Sequence, residues 1–375
     1  MVEVAKLEEE LARFDDAEAT LLRALDEAGG DVGLRAHALT RMASVVRSLG
    51  RPEEARELID EAVAGALDGD DRIEALIEQG RLRQDAGDPE EAERIAAQAL
   101  ELSAEASRFH GVAMSAYASA ARALGRFEEA AGLLRRARPL VEASFGPQSL
   151  ELADVLNNLG ICCKFAGWFD DGVVAYRESL AIIEAAVGAE HPDVASLHHN
   201  LGGIAHAARD FETAEPHARL SVDIRTRVLG PDHVDVAADR VALAAILLDL
   251  GKEDEAEPHL LESLAMFERT FGPDHYEVGV IASNLGTLAQ RRGDLDEATR
   301  WHERALAIKE AVLGPEHAEV AITLNNLGVI RRRQGRPEDA AALYRRAIAV
   351  LEATVDPGHP TLATVRRNLA KVAGE

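Results

Sequence analysis

Gly314-Pro315-Glu316-His317, followed by Val320-Ala321-Ile322-Thr323-Leu324-Asn325-Asn326-Leu327-Gly328, decides how this chain is read. The same turn recurs as Gly146-Pro147, Gly188-Ala189, Gly230-Pro231, Gly272-Pro273 and Asp356-Pro357, always 42 residues apart. An apolar helical segment follows at a fixed offset. A period of this length marks stacked supersecondary units, none of which can bury its apolar face alone. The predicted fold is all-α: a right-handed α-solenoid of stacked helix hairpins. Such arrays present a long surface to other proteins and rarely carry catalysis.

One unit, Gly188 to Leu229, shows the pattern. Pro192 suits the first turn of a helix A that runs from about 193 to 208. Val194, Leu197, Leu201 and Ile204 recur in it at helical spacing. Gly202 marks a close approach, where a side chain would hold the partner helix away. Arg209-Asp210 connects to a helix B over about 211–228, packed through Ala214, Ala218, Ser221, Val222 and Ile224. The same reading predicts helices near 277–292, 295–312, 319–334 and 337–354.

The turn inside each hairpin reaches further back than the 42-residue period. Gly50, Gly87, Gly125, Gly167, Gly251, Gly293 and Gly335 each precede a small residue by five positions. Arg209 fills that turn slot before Ala214, so it is expected to carry the backbone strain that glycine avoids. Ala12 with Ala17 fits as a degenerate first member. The first three steps between the small residues are 38, 37 and 38 residues, and the later ones 42. The organisation expected is three shorter hairpin repeats over 1–145, then five to six regular repeats over 146–375. A lone terminal helix from His359 to about Val372 closes the array.

The small–large–small pattern resembles the tetratricopeptide repeat. The 42-residue form, with His191-Pro192-Asp193-Val194-Ala195 ahead of Leu324-Asn325-Asn326-Leu327-Gly328-type segments, is similar to the repeats of kinesin light chains. The resemblance implies a superhelix that binds a protein segment in its groove. Kinesin light chains also carry a heptad coiled coil, and no sustained heptad run exists here. Arginine and alanine richness fits a bacterial relative.

Composition narrows the partners. The chain has 375 residues, a formal net charge of −25 and only 4% aromatic residues. Both features disfavour nucleic acid, which needs a basic surface and stacking platforms. No apolar run is long enough for a membrane span, and the acidic N-terminus is unlike a secretory signal. Cys162 and Cys163 are adjacent in a helix, so they point apart and are expected as buried thiols of a cytoplasmic protein.

Asn158, Asn200, Asn284, Asn326 and Asn368 occupy one slot of successive A helices, with Ala242 breaking the series. Asparagine inside a helix costs about 0.6 kcal/mol relative to alanine. Two readings account for the repetition: amides that bind the backbone of an extended peptide, or amides bonded to the adjacent hairpin. Arg291 and Arg333, with Arg292, Arg331 and Arg332 beside them, either complement the helix dipole or form a basic patch for an acidic peptide.

His191, His233, His275, His317 and His359 stand in the inter-repeat turns. Stacked repeats are on the order of 10 Å apart, whereas a zinc–nitrogen bond needs about 2 Å. They are expected to be turn-packing residues, and His199 with His206 is likewise too widely spaced. No metal, cofactor or enzymatic activity is predicted. There is no phosphate-cradling glycine loop, no zinc-protease helix motif and no nucleophile elbow. Nor is there the two-lysine, two-asparagine, one-arginine clamp by which some tetratricopeptide domains hold chaperone C-termini. The predicted function is a protein–protein interaction scaffold. The alternatives are a regulatory sensor closing around a signalling peptide and, more remotely, an enzyme.

Overall fold

Nineteen helices and no strand are present among the described residues, which are 1–10, 13–65, 69–104, 107–354 and 359–374 of the computed structural model. Ala12 and the Asp356-Pro357 turn lie outside them. The helices fall into two compact units, Met1–Asp210 and Phe211–Glu375, called here the N-terminal and C-terminal stacks.

The N-terminal stack holds α1 (Val2–Glu10), α2 (Phe14–Ala28), α3 (Val32–Ser48), α4 (Pro52–Ala64), α5 (Gly69–Asp85) and α6 (Pro89–Leu102). It continues through α7 (His110–Ala123), α8 (Phe127–Phe145), α9 (Leu150–Ala166), α10 (Phe169–Val187) and α11 (Pro192–Ala207). The C-terminal stack holds α12 (Phe211–Leu229), α13 (Val234–Asp249), α14 (Glu253–Phe271) and α15 (Tyr276–Arg292). After these come α16 (Leu295–Leu313), α17 (Ala318–Arg333), α18 (Pro337–Thr354) and α19 (Pro360–Ala373). Odd-numbered helices are the A members of the hairpins and even-numbered ones the B members. Each stack is an all-α solenoid of such hairpins.

The small residues explain how tightly the hairpins close. Ala17, Ala55, Ala130, Ala214, Ala256, Ala298 and Ala340 are completely buried, because a lone Cβ lets two helix backbones approach. Seven residues later, Ser179 and Ser263 donate to the carbonyls of Ala153 and Ala237 at 2.8 and 2.9 Å. These bonds tie helix B to helix A without leaving a buried hydroxyl unpaired.

The slot of Gly202 holds Gly160, Gly286 and Gly328 in α9, α15 and α17. A Cβ there would lie 2.5, 2.7 and 2.5 Å from ring carbons of Tyr176, His302 and Tyr344 respectively. A ring of helix B thus rests on the bare backbone of helix A, and any side chain at the glycine would displace it.

At the turns, Gly167 and Gly293 adopt the left-handed conformation (φ 78°, ψ 12° and φ 87°, ψ 3°). Arg209, in the same slot, has φ 64° and is the one non-glycine residue with positive φ among the described residues. The strain expected there is present.

The C-terminal stack also buries charge. Asp239 (1% exposed) accepts from Ser221 at 2.5 Å and from Arg225 at 3.3 Å. Lys309 is buried and meets Glu319 at 3.1 Å, and Glu319 also accepts from the Tyr276 hydroxyl at 2.6 Å. His302 is completely buried with neither ring nitrogen hydrogen-bonded. Burial, helped by the nearby Lys309 charge, pushes its pKa down to about 4.

Candidate functional site

The A helices line one face of each stack, with α15 and α17 bridged by the bond from Arg333 to Gln290 O. α1 touches α3, α3 touches α5, α5 touches α7, α7 touches α9 and α9 touches α11; α13 touches α15 and α17 touches α19. The B helices are instead spanned by long side chains. Arg135 reaches Asp171 at 2.7 Å, Arg219 reaches Glu255 at 2.6 Å and Arg304 reaches Glu268 at 2.5 Å. Residues three and four apart on the A helices therefore share the closer-packed face.

All five ladder asparagines are half-buried on that face, but they are not equivalent. Asn200 donates to Asn157 Oδ1 and Asn368 to Asn325 Oδ1, both at 2.9 Å. These two amides join neighbouring A helices, each using as acceptor the first asparagine of the preceding Asn-Asn pair. Asn326 accepts from its neighbour Asn325 at a long 3.5 Å. Asn158 and Asn284 make no side-chain hydrogen bond among the described residues. The residue before each asparagine decides which fate it meets. One repeat upstream, Asn284 faces Val241, which offers no acceptor, and Asn326 faces Ser283, whose hydroxyl already bonds Gly279 O at 3.1 Å.

The arginines are braces between repeats. Arg291 pairs with Asp249 at 3.2 Å and lies 3.8 Å from Glu253. Arg292 pairs with Glu257 and Asp254 at 2.9 and 3.0 Å, and Arg331 with Glu303 at 2.7 Å. Arg333 differs: it is exposed, and donates to the carbonyl of Gln290 at 2.9 Å.

On the N-terminal stack the A-helix face is crowded with charge. Buried Glu78 accepts from Arg47 at 3.0 Å, and Arg81 reaches past α7 to Asp154 on α9 at 3.0 Å. Lys6 on α1 meets Glu151 on α9 at 3.3 Å. Burial pushes the Glu9 carboxyl up, against the Ser44 hydroxyl that donates to it at 2.6 Å. Beneath Arg81 lies a hollow of about 270 Å³ bordered by α3, α5, α6, α7 and α9. His37 with Asp71 and Glu74 has ligand atoms within 4.8 Å of one another. The Arg41 guanidinium already holds Glu74, which counts against a cation there.

The turn histidines have a definite task that spacing alone does not reveal. His191, His233, His275, His317 and His359 each accept, through Nδ1, the backbone N–H two residues on, at 3.2 to 3.3 Å. Each is the N-cap of its A helix, doing with an imine nitrogen what serine or aspartate does with oxygen. Histidine is not a customary cap, so only its position immediately before the helix could have suggested this. Cys162 and Cys163 are free and buried. Burial pushes both thiols up, Cys162 to about 11, so they stay protonated and unreactive near neutral pH.

The family model described as tetratricopeptide repeat matches residues 34–105, 110–185, 193–269, 239–311, 277–353 and 319–375. The chain belongs to the tetratricopeptide repeat family. No curated protein matches it. Among solved structures, a tetratricopeptide repeat protein from Parabacteroides merdae shares the fold: TM-score 0.54, 16% identity, 80% of this chain and 98% of that one covered. BtubC (BKLC) from P. vanneervenii is similar at 24% identity and TM-score 0.47, over 64% of this chain and 93% of that one. A putative kinesin light chain of Podosopora anserina with nearly identical TPR-like repeats has 21% identity and TM-score 0.45, over 53% and 97%. No helix of the described residues is long and apolar enough to cross a membrane.

Proposed function

We propose that the chain is a non-catalytic scaffold that binds an extended segment of another protein along its A-helix face. The observation that carries this reading is Asn284. Its amide is half-buried on that face and has no partner among the described residues, in a slot where the equivalent amides of Asn200 and Asn368 are satisfied internally. A half-buried amide with a free donor and a free acceptor suits the N–H and C=O of an extended peptide. Ile322, 43% exposed on α17, adds an apolar contact. Asn326 and Arg333 extend the surface, and Asn158 occupies the corresponding slot of the N-terminal stack. Asn200, Asn368 and Arg291 hold the face in register. We place this activity in the cytoplasm, where two unpaired thiols stay reduced.

Photo-crosslinking in the native cell tests the reading. A crosslinker at Ile322 should capture a protein that one at Leu261, exposed on helix α14, does not. Asn284→Ala should then weaken binding of that protein by about tenfold, the cost of one stranded polar group, without lowering the melting temperature. Capture from Leu261 alone, or a variant that melts early and binds normally, would refute it.

A further inference from the structure

The A-helix face of the N-terminal stack encloses a hollow lined by both charges and amides. The hollow of about 270 Å³ opens where α7 presents only Ser115, Ala116, Ser119 and Ala120 between the larger side chains of α5 and α9. At about 30 Å³ per water molecule, it has the volume of a single amino acid and not of a folded segment.

Its polar lining is incomplete. Ser115 is 4% exposed and its hydroxyl makes no hydrogen bond among the described residues. Asn158 and Gln84, both half-buried, likewise have unbonded amides. One repeat further on, the positions of Ser115 and Asn158 are those of Asn157 and Asn200, which bond each other at 2.9 Å. The solenoid thus joins this pair of slots at the next step and leaves it apart here, with the hollow between.

Charge defines what fits. The Arg81–Asp154 pair spans the hollow at 3.0 Å, with side chains 44% and 48% exposed, so opening it costs little. Arg47 stands 3.5 Å from Asp85 at the same hollow. A ligand with one charge replaces one half of such a pair and leaves the other to water. A ligand carrying both charges replaces both halves.

We propose that this hollow binds a free α-amino acid. Its carboxylate takes the Arg81 guanidinium and its ammonium group the Asp154 carboxylate, while Asn158, Gln84 and Ser115 supply the remaining hydrogen bonds. The side chain lies beside Ala116 and Ser119 of α7. The site is distinct from the segment-binding surface of the C-terminal stack and does not depend on it.

Isothermal titration calorimetry of the full chain with each proteinogenic L-amino acid in turn tests the proposal. At least one amino acid should bind. Its decarboxylated amine and its deaminated acid should each bind at least about tenfold more weakly, the loss of one charge-assisted hydrogen bond. Arg81→Gln and Asp154→Asn should each weaken binding by a similar factor, and Asn284→Ala should leave it unchanged. Should Arg81→Gln fail to fold, Asp154→Asn decides. Absence of binding by every amino acid, equal binding of the singly charged analogues, or unchanged affinity in the folded variants would overturn it.

Discussion

In the N-terminal stack an ion pair spans the A-helix face over a hollow; in the C-terminal stack ion pairs stand near the ends of the A helices and inside the hairpins. Arg81 and Asp154 pair across a surface that water and ligands can reach, while Arg47 is held by the buried Glu78. Arg225 and Asp239, Lys309 and Glu319, and the lone imidazole of His302 are packed inside or against hairpins. The middle of the C-terminal A-helix face is plainer, with amides, Val280 and Ile322, while Arg291 and Asp249 pair near the ends of their helices. The difference teaches that one repeat pattern tolerates two uses of charge. Surface pairs contribute little stability and can be exchanged for a ligand. Buried pairs resist any rearrangement, because separating them strands a desolvated charge.

Repeat length separates the regions too. Helix B has 13 and 14 residues in α4 and α6, but 19 in α8, α10, α12, α14 and α16. The A helices barely change, from 17 in α3 and α5 to 16 or 17 in α13, α15 and α17. The residues that raise the period from 38 to 42 therefore lengthen helix B by more than a turn and leave the face bearing the candidate sites its original size.

The largest effect is expected at Asp239. Asp239→Ala removes a buried acceptor shared by Ser221 and Arg225 and should cost about 3–5 kcal/mol, read by urea denaturation. The double variant Arg225→Ile, Asp239→Leu introduces the residues of the preceding repeat, Ile183 and Leu197, and should be as stable as the parent. A mild single variant would mean that the pair is not shielded, and the contrast between the stacks would fail.

His302 should make stability depend on pH. Its folded pKa of about 4 lies below the ordinary 6.5, so below pH 6.5 the unfolded chain takes up the proton first. The stability is fully present above pH 6.5 and is lost as pH falls through 4, by about 3 kcal/mol. His302→Tyr, copying Tyr176 and Tyr344, should abolish this part of the profile in denaturation measured from pH 7 to 4. Identical slopes for parent and variant would show that the imidazole is hydrated.

A cap should matter less. His317→Ala removes the acceptor for the Glu319 N–H and should cost about 1 kcal/mol, with His317→Asn restoring most of it; thermal melts distinguish the two. The smallest effect belongs to the N-terminal face. Arg81→Gln should cost less than about 1 kcal/mol, and a larger loss would make that face structural like the C-terminal core.

Much of this architecture is legible in the residues. The predicted helix near 193–208 is observed as Pro192–Ala207, and that near 295–312 as Leu295–Leu313, because apolar spacing and turn glycines recur in register. Arg209 stands out for the same reason: its slot demands a conformation side chains avoid. The Arg225–Asp239 pair is harder to see, since each residue looks like an ordinary surface charge. Only alignment with Ile183 and Leu197 marks them as core. The ladder asparagines could be found but not sorted, because each amide's fate depends on what the previous repeat offers. Contacts that skip repeats, such as Arg81–Asp154, depend on how closely the A helices pack, and no local pattern encodes that.

Lys6 and Glu151 are 145 positions apart, about twice the separation of Arg81 and Asp154. A helical array usually frays from its ends, each terminal hairpin opening on its own and exchanging its amide protons fast. Here the first helix is fastened to the ninth, so its opening is coupled to the middle of the stack. Amide exchange in α1 should accelerate when Glu151 is neutralised, with that in α5 unaltered. A single partly exposed ion pair thereby links the opening of α1 to that of α9.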